Sequence, residues 1–153
     1  MIAFTDVQYR DTDATAACVA GCLAGSSAAV ATAAWCAAHQ HEAFERVARQ
    51  AQIEALGELG RADEAAAVAR ELARRPGITR EAFGFYLPQL LLVMGDALHA
   101  AGDPHDAEPL HQAAVAWIED CCLRHVPPLF RDSFMTRNPV NQRLLGRAAV
   151  TSR

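Results

Sequence analysis

No lysine occurs anywhere in this chain: all fourteen basic residues are arginine, and against eighteen acidic residues they leave a net charge of −4. Phosphate contacts need a clustered cationic excess, so its absence removes DNA and RNA from the expected partners. A cysteine framework is missing as well. Cys18, Cys22, Cys36, Cys121 and Cys122 are odd in number and lack the short paired spacings of a disulfide scaffold or a zinc ribbon, which points to a reducing, cytoplasmic setting. Adjacent Cys121 and Cys122 read as two small buried thiols on a helix rather than as a vicinal disulfide. There is no serine in a GxSxG turn, no recognisable Cys/His pairing and no glycine-rich loop followed by a phosphate-binding lysine, so no catalytic residue and no cofactor are expected. A cationic leader is lacking too, because Asp6, Asp11 and Asp13 stand where it should be. Residues 14–38 carry no charge and include a GxxxG step at Gly21 and Gly25, yet nearly half of them are alanine. Only Val19, Leu23, Val30 and Trp35 are strongly apolar, too few for a membrane span.

What the chain has in quantity is alanine, more than a fifth of its 153 residues. That bias, like the arginine-for-lysine usage, is of the kind a GC-rich bacterial genome imposes, and it also favours helix throughout. The length fits one domain with a real apolar core. An all-α architecture is predicted, with residues 1–27 as an N-terminal segment and residues 28–153 as the helical domain. In the first nineteen residues, two short apolar runs, Ile2 to Tyr9 and Thr15 to Val19, flank an Asp-rich turn. They form a β-hairpin or, given the alanines of the second run, the opening of a helix. Residues 21–27 read as a linker.

From Ala28 the period becomes helical. A stripe of Phe44, Val47, Ala48, Ala51, Ala55, Leu56 and Leu59 marks an amphipathic helix that stops at Gly60. Asp63 is placed to cap the next helix, which carries Ala65, Val68, Ala69 and Leu72 and ends at Arg74 to Gly77. A third helical stretch covers about 79–101, with Pro88 either kinking it or opening its main part. Asp103 and Pro104 then read as N-cap and first residue of a helix that breaks at Val126, Pro127 and Pro128. After a short helix around Phe130 and Phe134, Asn138 and Pro139 open the last one, with Leu144, Leu145 and Ala148 on its apolar face.

Ala55-Leu56, Gly60 and Ala65 recur as Ala97-Leu98, Gly102 and Ala107 at a constant offset of 42 residues, so two helix-turn-helix units of one design are expected. The stretch Met94-Gly95-Asp96-Ala97-Leu98-His99-Ala100-Ala101-Gly102-Asp103, followed by Ala107 and Ala114, resembles the tetratricopeptide repeat in its small and apolar positions. The resemblance implies close helix pairing at Gly95, Ala107 and Ala114. The first unit departs from it at Ile53, where that family prefers a small residue, and the spacing exceeds the family's 34 residues, which implies a bridging segment at about 77–85. The run from Arg131 to Leu145 is similar to the closing segment of repeat arrays in large bacterial regulators that join such arrays to ATPase or kinase domains. Residues 2–19 resemble the opening hairpin of endonuclease V-like proteins. That likeness implies a metal-ligating role for Asp6, although no further acidic ligands of that family are visible.

The tetratricopeptide resemblance implies a concave groove lined by the first helix of each unit: Gln50, Glu54, Glu58, Gln89, Leu92, Asp96 and His99. The groove is acidic, which favours a basic peptide or an Arg-rich helix as partner. The expected function is therefore a protein- or peptide-binding module without chemistry of its own, and the open ends of so short an array favour a homodimer. The competing expectation is a metal-dependent enzyme, using Asp6 or the carboxylate and imidazole pairs Asp96/His99 and Glu108/His111, each three residues apart. His39 and His41, two apart on a helix, point to nearly opposite sides and cannot share an ion. Cys36 and His39 could, but two ligands do not make a closed zinc site.

Overall fold

In the computed structural model, which describes residues 26–79 and 86–151, alanine-rich segments punctuated by glycine and proline become seven helices, with no strand among the described residues. They are α1 (Ser26–Ala38), α2 (Glu42–Glu58), α3 (Ala62–Ala73), α4 (Leu87–Ala100), α5 (Pro104–His125), α6 (Pro128–Arg137) and α7 (Pro139–Thr151). The hairpin expected over residues 1–19, Asp6 with it, and most of the bridging segment lie outside the described residues.

The 42-residue offset is legible in the backbone. At the α2–α3 turn Arg61 donates to the Leu56 carbonyl at 2.9 Å and Gly60 to the Gly57 carbonyl at 3.0 Å; at the α4–α5 turn Asp103 donates to Leu98 at 2.9 Å and Gly102 to His99 at 3.0 Å. Both glycines are left-handed, at φ 72° and 85°, as this helix-ending motif requires. A third copy joins α1 to α2. There His41 donates to the Cys36 carbonyl at 2.9 Å, and Gln40 holds the left-handed position at φ 59°. The run from Ala28 to Leu59 is thus two helices rather than one, broken without glycine or proline because Gln40 accepts a backbone strain that glycine would not feel.

The caps differ in part from expectation. Arg61, not Asp63, is the N-cap of α3, and Asp63 falls within its first turn. Asp103 does sit at the N-cap of α5, but its carboxylate turns away from the helix to pair with Arg70 of α3. Pro88 lies in the first turn of α4, so the helix opens there rather than kinking. Asn138 caps α7 as expected, its Oδ1 accepting from Val140 N at 2.9 Å.

Packing arranges the helices in two layers. α2, α4 and α7 pack in succession, whereas α1, α3 and α5 each pack on that row without their backbones approaching one another. The row of α2, α4 and α7 thus forms one face of the stack, and α1, α3 and α5 lie on the other side of it. An open cleft of about 310 Å³ lies between α1 and α3, lined by Val30, Leu56, Ala67 and Val68 with Gln52 and Arg61 among its polar groups. The main core runs through Leu72, Leu87, Leu90, Leu91, Met94, Leu98, Ile118 and Leu144, all buried. α1 packs closely on α2 around a separate, smaller apolar cluster, Ala33 and Ala48 with Val47 beside them.

Candidate functional site: the α2 and α4 face and the Asp96 cluster

Gly95 and His111 explain how the second hairpin closes. A Cβ on Gly95 would lie 2.2 Å from His111 Nε2 and 2.6 Å from its Cδ2, so the imidazole of α5 occupies the space that any side chain on α4 would take. One repeat earlier the matching positions are Ile53 and Ala69, both buried. The two units exchange bulk between their paired helices, and Ile53, out of pattern when read alone, is the large member of a large/small pair.

Beside this contact, Asp96 is enclosed by three cationic or imidazole groups. Arg143 Nη2 donates to Oδ2 at 2.7 Å, Arg147 Nη1 donates to Oδ1, and His111 Nε2 stands 3.8 Å from Oδ1. Arg147 also meets His111 Nε2 at 3.1 Å. Burial pushes the His111 ring below its ordinary value of 6.5, and Arg147 pushes the same way; Asp96, Glu108 and a hydrogen bond to the Leu92 carbonyl oppose them without prevailing.

The structure distributes the seven expected groove residues unequally. Glu54 and Glu58 on α2, and Gln89 and His99 on α4, are exposed; Gln50 is half-buried and donates to Glu54 Oε1 at 2.9 Å. Leu92 is only 2% exposed and belongs to the core. Asp96 is half-buried, its carboxylate taken by Arg143 and Arg147 of α7. Of the four candidate metal ligands, the fold brings Asp96 and His111 together, and Glu108 acts on the ring electrostatically. His99 is exposed, and the Asp96 oxygens face arginine. Among the described residues, no three of His, Cys, Asp and Glu gather as a metal ion would need.

Sequence reasoning missed two clusters. Because the chain turns at Gln40, His39 and His41 do not diverge as they would on a helix. Both rings stack on Trp35, at 4.2 and 5.7 Å between centroids, and His39 Nδ1 meets the Trp35 carbonyl at 2.8 Å. The second cluster centres on buried Glu45, with Arg75 Nη2 at 2.7 Å and Arg49 Nε at 3.9 Å, while Glu71 takes Arg49 at 3.3 Å. This network ties α2 to α3. Glu45 also stands near buried Cys36, whose thiol is pushed up first by burial and then by that carboxylate. Cys122 is a buried thiol and Cys121 a half-buried one. No helix among the described residues is long and apolar enough to cross a membrane. No protein-family model, curated protein or solved structure matches the chain.

Proposed function

We propose that this chain is a protein- or peptide-binding module, resembling a short tetratricopeptide array, that takes an arginine-bearing segment on the face of α2 and α4, the face that the resemblance makes concave. The supporting observation lies within the molecule: α7, an amphipathic helix with arginines one turn apart, rests on the Asp96 carboxylate of that face. Glu54 holds the position of Asp96 one repeat earlier and is exposed, with Glu58 one turn further on. Guanidinium groups suit such carboxylates because their planar fork offers several donors at once. Exposed ion pairs contribute little by themselves, so the carboxylates set orientation and preference while apolar burial alongside them supplies affinity. The reading includes no catalytic step. It also includes self-association through the α5–α6 corner, where Leu123, Leu129 and Phe130 are 67%, 84% and 58% exposed, and a mass that rises with concentration in light scattering is the check.

The test is fluorescence anisotropy with a helical peptide carrying two arginines four residues apart. The wild-type chain binds it, and Glu54→Gln with Glu58→Gln weakens binding about tenfold and flattens its salt dependence. Equal binding by the two proteins, or equal binding of a peptide with both arginines replaced by glutamine, overturns the proposal.

A further inference from the structure

The open cleft between α1 and α3 has a definite chemical character. Leu56 of α2 and Val68 of α3, both buried, line it together with Val30 of α1, which is 44% exposed, and the exposed Ala67. Its polar groups have partners of their own. Arg61 donates from Nε to Glu64 Oε1 at 2.6 Å and from Nη2 to Oε2, and Gln52 Oε1 accepts from Arg49 at 3.2 Å. Apolar walls beside a self-satisfied ion pair suit a neutral, apolar occupant, because a charged one would lose water without gaining a partner. α1 itself carries no charged side chain, and Val30, Ala34 and Trp35 stand exposed on it. A helix apolar all round is ordinarily covered all round. α3 and α5 each pack against two helices of the other row, whereas α1, among the described residues, packs against one.

The chain reaches α1 at the mouth of this cleft, since α1 begins at Ser26 and Ser27 is one of the lining residues. Residues 14–25, which precede it and lie outside the described residues, carry no charge either. Leu23 is the one large apolar side chain between Val19 and Val30, and Gly21, Cys22, Ala24 and Gly25 around it are small enough for a close approach of the backbone. Three residue steps keep Leu23 within about 11 Å of Ser26 whatever the conformation between them. Position 23 is also four before Ser27 and seven before Val30, the spacing of a single helical face, and both of those residues line the cleft.

We propose that residues 20–25 strap α1 to α3 by seating Leu23 in this cleft, against Val30, Leu56 and Val68. The occupant is tethered at the mouth, so an untethered peptide would have to be present at roughly millimolar concentration to compete with it. The strap joins two outer helices whose backbones do not approach one another, and it withholds the apolar cleft from other chains. It is independent of what the α2 and α4 face binds, because the cleft lies on the other side of that row.

The test uses the full chain carrying Ala67→Cys, with alkylation of the introduced thiol followed by mass spectrometry on the tryptic peptide of residues 62–70. With Leu23 seated, that thiol reacts at least about tenfold more slowly in the folded than in the urea-unfolded chain, at every protein concentration. Adding Leu23→Ser raises the folded rate about tenfold, and Leu23→Met in its place keeps it slow. Slow labelling of buried Cys36 throughout shows that α1 still packs on α2. Equal folded and unfolded rates, or a slow rate indifferent to Leu23→Ser, overturn the proposal. So does protection that appears only as concentration rises, which makes a second copy the occupant. Should Leu23→Ser release Cys36 as well, a short bismaleimide on the chain that keeps Leu23 decides. A link from the introduced thiol to Cys22 within one chain supports the strap, and its absence, or links between chains alone, overturns it.

Discussion

Replacing Gly95 by alanine sets two effects of known sign against each other. In the interior of α4, alanine is favoured over glycine by about 1 kcal/mol, so on propensity alone the variant gains stability. The new methyl, however, would lie 2.2, 2.6 and 2.9 Å from three atoms of the His111 ring, none of them a distance that carbon tolerates. The ring must swing out, giving up its Leu92 and Arg147 partners, each worth about 1 kcal/mol, or the helices must part at an overpacking cost of about 1–3 kcal/mol. The net expectation is a loss of about 1 kcal/mol. With His111→Ala already in place the obstacle is gone, and Gly95→Ala should then stabilise by up to about 1 kcal/mol. The sign reversal amounts to a coupling of about 2 kcal/mol, measurable in a double-mutant cycle by urea denaturation with unchanged m-values. A stabilised Gly95→Ala single variant, or a cycle that closes without coupling, would refute the account of how α4 and α5 pair.

Titration of His111 gives a second expectation. Its ring is held below 6.5 in the folded chain, so between that value and 6.5 the unfolded chain binds more protons; the stabilisation is complete above 6.5 and is lost as pH falls toward the folded value. The urea midpoint of the wild type should therefore decline over that window relative to His111→Gln, and parallel curves would contradict it. Gln40→Gly should stabilise by up to about 1 kcal/mol, because glycine occupies φ 59° without a Cβ penalty, and a loss on thermal melting would deny the left-handed turn between α1 and α2. Under native conditions a thiol-alkylating reagent followed by mass spectrometry should label Cys121 well before Cys36, which is 1% exposed and disfavoured as thiolate; comparable rates would place Cys36 outside the α1–α2 contact.

Helix class and most boundaries were legible because glycine and proline state them: Gly60, Gly102, Pro104, Pro128 and Pro139 all fall at helix ends. The break at Gln40 was not, since the turn there uses a residue whose left-handed conformation is bought by packing rather than announced by type. The cap at Asp103 shows the same limit from the other side. Its position is readable, but the side chain's partner, Arg70, is thirty-three residues away and wins over the local backbone. The exposure of Glu54, Glu58, Gln89 and His99 was legible from their places on α2 and α4, whereas that of Leu92 was misjudged. That α7 takes Asp96 was not legible, because Arg143 and Arg147 lie about fifty residues from it, and only the path of the chain brings them together. The imidazole opposite Gly95 had a signal that could have been used: the offset of 42 pairs Ile53 with Gly95 and Ala69 with His111, and the exchange of large for small in both helices marks a contact.

The attachment of α1 gives the molecule a mechanical direction. Among the described helices it touches only α2, and it does so through alanines and Cys36, whereas the other end is secured by Leu144, Asn141 and the arginines on Asp96. Under tension or a protease, α1 should part from the described array before the hairpins behind it open.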